Sequence, residues 1–288
     1  MNISISPEKN IPIPQSFAIV TPNFNMGQYL GRTIESVIRN LGPGDQYFVI
    51  DGGSTDNSVE VIRSYDKHLT GWVSEPDAGY ADALAKGFER SKSEYMCWIN
   101  SGDLLLDGAI DEARARLTSA GTDMIFGDDF YIDEADKIIS CSYGRMNSLR
   151  NMMLYGAWTP LQDACFWKRE LYGTIGGLDV RLKYAADFDL FLRMSMAGRC
   201  EYVPLAFSAF RKHQGQKSIH GRTEYKSERY RCRAVALSKS NCSWIKMQFL
   251  TVYYWIAVRL RARVLHNFYQ SKRQAGESIH HLVCRHYN

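Results

Sequence analysis

Short apolar runs alternate with segments of helical periodicity over the first 130 residues. Apolar runs at 17–20, 47–50, 71–74, 95–99 and 123–127 predict five buried strands. Apolar residues recur every three or four positions at 30–41, 80–90 and 109–117, and predict helices between them. This alternation favours an α/β fold with a mostly parallel central sheet flanked by helices.

The pattern changes after residue 129. Residues 130–141 predict a hairpin around Glu134–Asp136, residues 160–167 another strand, and residues from 187 a helix. Two short strands are predicted at 202–203 and 207–210. Earlier in the chain, Asn57 followed by Glu60 predicts a capping box at the start of a helix.

Several polar residues follow the ends of the predicted strands. In open α/β sheets, ligands bind outside the carboxyl ends of the strands, so these side chains share one rim. A rim rich in carboxylates repels a bare phosphate but suits a divalent cation that holds a diphosphate. The rim residues are Thr21, Asp51, Ser74–Asp77, Asn100–Asp103 and Gly127–Asp129.

Motifs for other nucleotide-dependent and hydrolytic enzymes are absent from the sequence. No Gly-x-Gly-x-x-Gly follows the first strand, and there is no Gly-Lys-Ser/Thr P-loop. His-Glu-x-x-His and Gly-x-Ser-x-Gly are missing too, which disfavours zinc proteases and α/β-hydrolases.

The charge is distributed unevenly along the chain of 288 residues. Residues 1–210 contain 19 Lys and Arg against 28 Asp and Glu, whereas residues 211–288 contain 16 against 3. The shift near residue 211 predicts a boundary between a more acidic domain over 1–215 and a basic, aromatic-rich, helical extension over 216–288. Nucleic-acid binding is not expected, because no recognised motif accompanies the basic charge.

The extension contains twelve uncharged residues, 247–258, followed by three arginines. This stretch is too short to span a bilayer. It suits either an interfacial helix on anionic lipid, within 244–268, or a helix packed against the body or a second subunit. Seven Cys without a CxxC pair, and no secretory signal, predict a cytoplasmic protein, with peripheral attachment to the inner face of the membrane.

Taken together, the motifs resemble those of the family 2 glycosyltransferases, which have the GT-A fold and invert the anomeric centre. The resemblance extends over about residues 15–220. Its motifs are Ile19–Asn25, Val49–Asp56, Ser74–Gly79, Trp98–Asp103, Gln162–Trp167, Ile175–Asp179, Ala186–Arg193 and Phe210–His213.

The resemblance implies a nucleotide site and a metal site. Asp51 would accept a hydrogen bond from a uracil or thymine base, although an Asp before two glycines also caps turns. Asp103 would bind Mn²⁺ or Mg²⁺, with His213 as a further ligand. At Gly102 the sequence departs from the family, where another Asp is usual; Asp103 then suffices with water and phosphate oxygens, or metal dependence is weaker. The other nucleotide-binding candidates are Thr21, Pro22, Phe24, Asp82, Asn100 and Gly102, with Asp77 and Arg32 at lower priority.

Asp187 is the predicted catalytic base, because an inverting displacement needs a carboxylate to deprotonate the acceptor hydroxyl. Asp189 is the alternative, but it lies about 200° around the helix and cannot face the same ligand. Trp158 and Gln162 are candidates for the acceptor side. The role of Asp128 stays open.

The resulting hypothesis is an inverting glycosyltransferase that uses a UDP- or TDP-sugar. Its acceptor would be a glycan or a lipid-linked glycan in surface polysaccharide biosynthesis. The alternative is a catalytically inactive GT-A scaffold that binds nucleotides, consistent with the missing carboxylate at Gly102. A nucleotidyltransferase is disfavoured because its Gly-rich, Lys-containing first loop is absent.

Overall fold

The protein is described from a computed structural model, which covers residues 13–119, 121–142, 148–154, 159–215 and 221–239, and the single residues 249, 252, 253 and 256. Its strands in chain order are β1 (Ile13–Asn23), β2 (Gln46–Asp51), β3 (Gly71–Ser74), β4 (Ser93–Trp98), β5 (Leu104–Leu105), β6 (Met124–Ile132), β7 (Ile138–Ser142), β8 (Cys165–Lys168) and β9 (Cys200–Arg211). Its helices are α1 (Gly27–Ile38), α2 (Ser58–Ser64), α3 (Tyr80–Glu89), α4 (Ala109–Thr118), α5 (Leu149–Leu154), α6 (Arg169–Thr174), α7 (Ala186–Ala197) and α8 (Arg222–Ser238).

The described strands form one sheet in the order β3-β2-β1-β4-β8-β6-β9-β5, and β7 pairs with β6. The pairs among β1, β2, β3 and β4 are parallel, as is β6 with β9. The short strand β8 is antiparallel to both β4 and β6. The strand order reverses at β1, whose neighbours are β2 and β4, so a crevice opens beyond the carboxyl ends of β1 and β4.

Alternation along the strands explains why both faces of the sheet are covered. In β1, Ala18 and Val20 join one core cluster with α3 and α7, while Phe17 and Ile19 join the opposite cluster with α1 and α4. Helix α1 contributes Leu30, all of whose surface is buried, and its neighbours one turn on. The α/β fold predicted from the sequence is confirmed.

Three details of the sequence prediction were wrong. Asn57 precedes α2 but makes no side-chain cap; the carboxylate of Asp56 accepts the Ser58 N–H at 3.0 Å instead. The two short strands predicted at 202–203 and 207–210 are one continuous strand, β9. The strand predicted from residue 160 begins only at Cys165, after a 3₁₀ turn over Gln162–Ala164.

Helix α8 shares the hydrophobic core with the elements before it. Ala236 is buried in the cluster that contains α3 and α7, and Cys232 and Leu237 pack against that cluster. Arg233 donates a 2.8 Å hydrogen bond to the carbonyl of Leu154 at the end of α5. Among the described residues, no helix combines the length and the apolar character that crossing a bilayer requires.

Candidate active site

The carboxylate of Asp51 joins three loops at the end of β2. It accepts hydrogen bonds from Asn23 at 2.6 Å, from the Ser74 hydroxyl at 2.6 Å, and from the backbone and hydroxyl of Ser54 at 2.9 and 2.5 Å. Burial would raise the pKa of Asp51, but these hydrogen bonds outweigh it and hold the pKa below its usual value. Asp51 therefore stays ionised and fixes the ends of β1, β2 and β3; its contact with a base stays a prediction.

The carboxylate of Asp77 lies next to Gly52, the residue that follows Asp51. A Cβ atom on Gly52 would lie only 2.6 Å from Oδ2 of Asp77, so the Asp77 carboxylate occupies the space that a side chain at position 52 would take. Asp77 is held there by the N–H of Gly79, at 2.8 Å from Oδ1. The loop after β3 thus adds the partly exposed carboxylate of Asp77 to the rim, next to a glycine that has no side chain of its own.

The nucleotide candidates on β1 differ in accessibility. Thr21 is fully buried and its hydroxyl bonds to the Tyr47 hydroxyl at 2.9 Å, so its side chain does not line the open rim. Pro22 is buried, and its carbonyl accepts a 3.0 Å hydrogen bond from the Ser101 hydroxyl. Phe24 has 61% of its surface exposed, which leaves an aromatic face open beside the Asp51 loop. The structure thus leaves Phe24 as the accessible member of this group.

The loop after β4 holds Asp103 in a fixed position. Oδ1 of Asp103 accepts the backbone N–H of Arg211 at 2.9 Å, and Asn100 lies 3.5 Å from Oδ2. Gly102 has a φ of +108°, a conformation that residues with a side chain rarely adopt. Glycine adopts this conformation without the strain that a side chain would bring.

Arg211 at the end of β9 is a fully buried cation that the sequence did not single out. Its Nε donates to the carbonyl of Gly102 at 2.8 Å, and its Nη1 donates to the carbonyl of Asp133 at 2.8 Å. The guanidinium also forms an ion pair with Asp136 and lies 4.9 Å from the centre of the Tyr29 ring. Arg211 therefore connects the Asp103 loop to the turn between β6 and β7.

Two further buried aspartates lie near Asp103. Burial, together with the charge of Asp163, raises the pKa of Asp103 and of Asp129 well above the usual value. Asp129 accepts a 3.0 Å hydrogen bond from the Ser208 hydroxyl, which also interacts with the fully buried Asp163, and burial raises the pKa of Asp163 to about 6. The buried side-chain amide of Gln162 has no hydrogen-bond partner among the residues that the structure describes. In the sequence, the feature that pointed to this cluster was the acidic pair Asp128 and Asp129 at the end of a predicted strand.

The carboxylates of Asp103, Asp129 and Asp163 are hard oxygen ligands, but they are few in number. No three His, Cys, Asp or Glu side chains within the described part of the chain are arranged to hold a metal ion together. Asp103 has one oxygen committed to the Arg211 N–H, and the charge of the neighbouring Asp163 raises its pKa. This donor set fits a divalent cation shared with a diphosphate, since Mg²⁺ is often held by one or two carboxylates plus phosphate oxygens.

The other rim candidates are already engaged by neighbouring groups. His213 packs against Tyr29 with ring centres 5.5 Å apart, and burial lowers its pKa so that the ring is neutral at pH 7. Arg32 pairs with Asp136 at 2.9 Å. Asp82 accepts the Ala78 N–H at 3.1 Å and lies 3.3 Å from Lys86. Asp128 accepts a 2.8 Å hydrogen bond from the Tyr202 hydroxyl. Trp158 lies outside the described residues.

The two acidic candidates at the start of α7 have different surroundings. Asp189 forms an ion pair with Arg193, with Nη2 2.6 Å from Oδ2. Asp187 is partly exposed, and its carboxylate accepts a hydrogen bond from the backbone N–H of Phe188 at 2.7 Å. Burial raises the pKa of Asp187 to about 6. Of the two, Asp187 has the carboxylate with the properties of a general base.

The backbone before and at Asp187 is bonded to the start of α3. The hydroxyl of Tyr80, which follows the Asp77 loop, accepts the N–H of Ala186 at 2.9 Å and that of Asp187 at 3.4 Å. On the other side, Cys165 lies within electrostatic range of Asp187 and of Asp163. Asp163 in turn interacts electrostatically with Asp103.

The sequence profile described as glycosyl transferase family 2 matches residues 18–170, which is more than half of the chain. The chain belongs to this family. The polar rim of this family 2 glycosyltransferase contains the motif residues Asp51, Asp77 and Asp103. Its curated relatives are named as glycosyltransferases as well.

One relative is the glycosyltransferase GlyG of Streptococcus pneumoniae, 26% identical over 122 residues, which are 41% of this chain and 40% of GlyG. An uncharacterised glycosyltransferase of Mycobacterium tuberculosis is 28% identical over 65% of this chain and 71% of its own. A PGL/p-HBAD biosynthesis glycosyltransferase of Mycobacterium bovis is 23% identical over 62% of this chain and 68% of its own. The match therefore spans less than half of GlyG.

Solved structures with the same fold include two transferases. TarS residues 1–349 from S. aureus has a TM-score of 0.62 at 14% identity, over 85% of this chain and 72% of that one. The mannosyltransferase PcManGT of Pyrobaculum calidifontis, solved with GDP-Man and Mn²⁺, has a TM-score of 0.59 at 13% identity, over 96% of this chain and 85% of its own. These similarities confirm the GT-A fold.

Proposed function

We propose that this glycosyltransferase transfers a sugar from a UDP- or TDP-sugar to a hydroxyl group of a glycan or lipid-linked glycan, with inversion, in surface polysaccharide biosynthesis. The observation that carries the proposal is Asp187, a partly exposed carboxylate with a raised pKa whose backbone N–H lies 3.4 Å from the Tyr80 hydroxyl at the start of α3. A carboxylate that holds a proton up to about pH 6 is well matched to removing one near neutral pH.

The chemical step follows from this placement. The Asp187 carboxylate takes the proton of the acceptor hydroxyl as its oxygen forms a bond to the anomeric carbon. The bond between that carbon and the diphosphate oxygen breaks, and the electron pair leaves with the nucleoside diphosphate. Attack from the side opposite the diphosphate inverts the anomeric centre. The start of α7 stabilises the ionised form of Asp187, because a helix N-terminus carries partial positive charge.

The nucleotide would occupy the loops at the ends of β1, β2 and β3. Phe24 offers an exposed ring for stacking, and Asp51 keeps the loops around it in place. Asp77 adds a partly exposed carboxylate that can accept a hydrogen bond from a base N–H or a ribose hydroxyl. TarS has been solved in complex with UDP and with UDP-GlcNAc, which supports a uridine donor for a chain of this fold.

A divalent cation would be held by Asp103 and by the donor's phosphates, with His213 as a further candidate. Such an ion offsets the charge that develops on the leaving diphosphate. The mannosyltransferase solved with Mn²⁺ supports a cation for this fold. The chain itself contributes the fixed geometry of Asp103, through Arg211 and the Gly102 turn.

A donor screen tests the proposal. UDP-, TDP- and GDP-sugars are compared by calorimetry with and without Mn²⁺, followed by assay of nucleoside diphosphate release with purified glycan acceptors. We expect UDP and TDP compounds to bind more tightly than GDP compounds, and Asp103→Asn to weaken binding only when metal is present. If no nucleotide binds under any metal condition, the proposal fails.

We also propose that the C-terminal segment attaches the enzyme to an anionic membrane surface. Residues 249, 252, 253 and 256 are helical, and their spacing places them on one face. These four residues are Phe249, Val252, Tyr253 and Ile256, and 46% to 75% of each is exposed. An exposed apolar stripe in a segment with 16 basic and 3 acidic residues matches the chemistry of anionic lipid headgroups above an acyl layer.

Vesicle sedimentation of the full chain tests this attachment. We expect binding to vesicles that contain phosphatidylglycerol, weaker binding to pure phosphatidylcholine, and loss of binding in the variant Phe249→Ser/Tyr253→Ser. Size-exclusion chromatography of the same variant is the control. If the parent chain binds neither kind of vesicle, and the two substitutions convert a dimer into a monomer, the stripe is a subunit interface and the membrane proposal is wrong.

A further inference from the structure

Helix α7 begins without a cap from its own sequence. Ala185 precedes the first helical residue and has no side chain that can accept a hydrogen bond. The backbone N–H groups at a helix start need partners when they are buried, and both Ala185 and Ala186 are fully buried. Their partners therefore have to come from elsewhere in the fold.

Glu228 of α8 accepts the N–H of Ala185 and those of the two residues before it. Its Oε2 accepts the N–H of Tyr184 at 2.9 Å and that of Ala185 at 2.8 Å, and its Oε1 accepts the N–H of Lys183 at 3.2 Å. Only 7% of Glu228 is exposed. One buried carboxylate thus binds three successive N–H groups, two to four residues before Asp187.

The next residue on α8 also faces the start of α7. The guanidinium of Arg229 lies 4.5 Å from the centre of the Phe188 ring, and Phe188 directly follows Asp187. From the opposite side, Tyr80 binds the N–H groups of Ala186 and Asp187. The peptide that carries Asp187 is therefore held between α3 and α8.

We propose that Glu228 is a positioning residue for the reaction, which fixes the orientation of Asp187 through the backbone of Lys183–Ala185. This inference rests on the proposed function, because it assumes that Asp187 is the base. It makes α8 a part of the active site, although the family profile ends before α7 begins.

The charges on α8 should affect the pH dependence of turnover, because they act on the pKa of Asp187. Burial raises the pKa of Asp187 to about 6, the Arg229 charge lowers it, and the Glu228 charge raises it. Tyr80, Tyr225 and Cys165 also lie within electrostatic range of Asp187. Burial raises the pKa of each of these three groups, so they are neutral near pH 6 and leave the two α8 charges to act in opposite directions.

The experiment compares Glu228→Gln with Glu224→Gln, an exposed residue one turn earlier on the same helix. In Glu228→Gln an amide NH₂ replaces an oxygen that accepts backbone N–H groups, so the loop before Asp187 shifts. We expect kcat to fall on the order of 10- to 100-fold with an unchanged donor KM, because small displacements of a catalytic group cost this much. The acid limb of the kcat profile should move to lower pH, and Arg229→Gln should move it to higher pH.

Several outcomes separate the inference from its alternatives. Glu224→Gln should behave like the parent, and Glu228→Asp, which keeps the charge, should recover part of kcat. A Glu228→Gln enzyme with parental kcat and pH profile would overturn the inference. A uniform loss of kcat, donor affinity and melting temperature without a shift of the acid limb would assign Glu228 to folding alone. If Asp187→Asn keeps parental turnover, the proposed function fails first; if it is inactive while Glu228→Gln is normal, only the positioning role fails.

Discussion

Replacing Asp187 by Asn should remove activity and at the same time stabilise the fold. The carboxyl group has a pKa of about 6 in the folded protein, against an ordinary value of 3.8. The difference of about 2 pKa units corresponds to at most ~3 kcal/mol. The folded state binds this proton more tightly than the unfolded state, so the free energy of unfolding decreases as the pH rises from about 3.8 through about 6.

The Asn variant carries no such penalty. Because Asp187 is partly exposed and solvent screens its charge, we expect a gain at pH 7.5 that is smaller than this limit, and no gain at pH 3.5. Loss of the base should reduce kcat by about 10²- to 10⁴-fold. Urea unfolding at the two pH values, with turnover measured on the same preparation, tests both parts.

The pH profile of the parent enzyme provides an independent check. With a pKa of about 6, only about a tenth of Asp187 is ionised at pH 5, so kcat should be about tenfold below its plateau. A carboxyl group of ordinary pKa would leave kcat nearly unchanged at pH 5. Our reasoning is refuted if Asp187→Asn loses stability along with activity at pH 7.5, since the side chain would then be a structural support.

Three further substitutions test other parts of the site. Asp51→Asn should weaken UDP binding in calorimetry by tenfold or more, because the new amide faces the hydrogen-bond donors of Ser54 and Ser74; parental affinity would show that the loops hold without the charge. Gly102→Ala should lower the melting temperature by an amount equivalent to about 1 kcal/mol or more, since φ is +108°, and an unchanged melting temperature would contradict the strained turn. Arg211→Met should cost about 2–4 kcal/mol in urea unfolding, because it leaves the carbonyl groups of Gly102 and Asp133 without their donor while Asp136 keeps Arg32, and a cost below about 1 kcal/mol would argue against its role as the connection.

The sequence was most informative for elements with strong local patterns. The predicted helix 80–90 differs by one residue from α3, and the predicted strand 71–74 coincides with β3. The strand at Cys165 was placed too early, because buried apolar residues in a 3₁₀ turn look like the start of a strand. The strand β8 itself was predicted, but its antiparallel direction could not be, since strand direction depends on long-range pairing.

Local motifs also identified residues of the candidate site better than they identified its supports. Asp51, Asp103 and Asp187 each stand in a recognisable motif at the end of a strand or the start of a helix. Glu228 is one of three acidic residues in the basic segment 211–288, and its partners lie 43 to 45 positions away. No sequence periodicity connects residues across such a distance.

The contacts of Arg211 also have a consequence for the synthesis of the chain on the ribosome. The profile match ends at residue 170, but the loop that presents Asp103 is held by a residue emerging 41 positions later. A nascent polypeptide that has released only its first 170 residues would have the strands of the donor half without the anchor of that loop. Competence for sugar transfer should therefore arise late in translation, and a premature stop before codon 211 should give a protein that still retains parallel strand pairing around β1 but binds donor poorly.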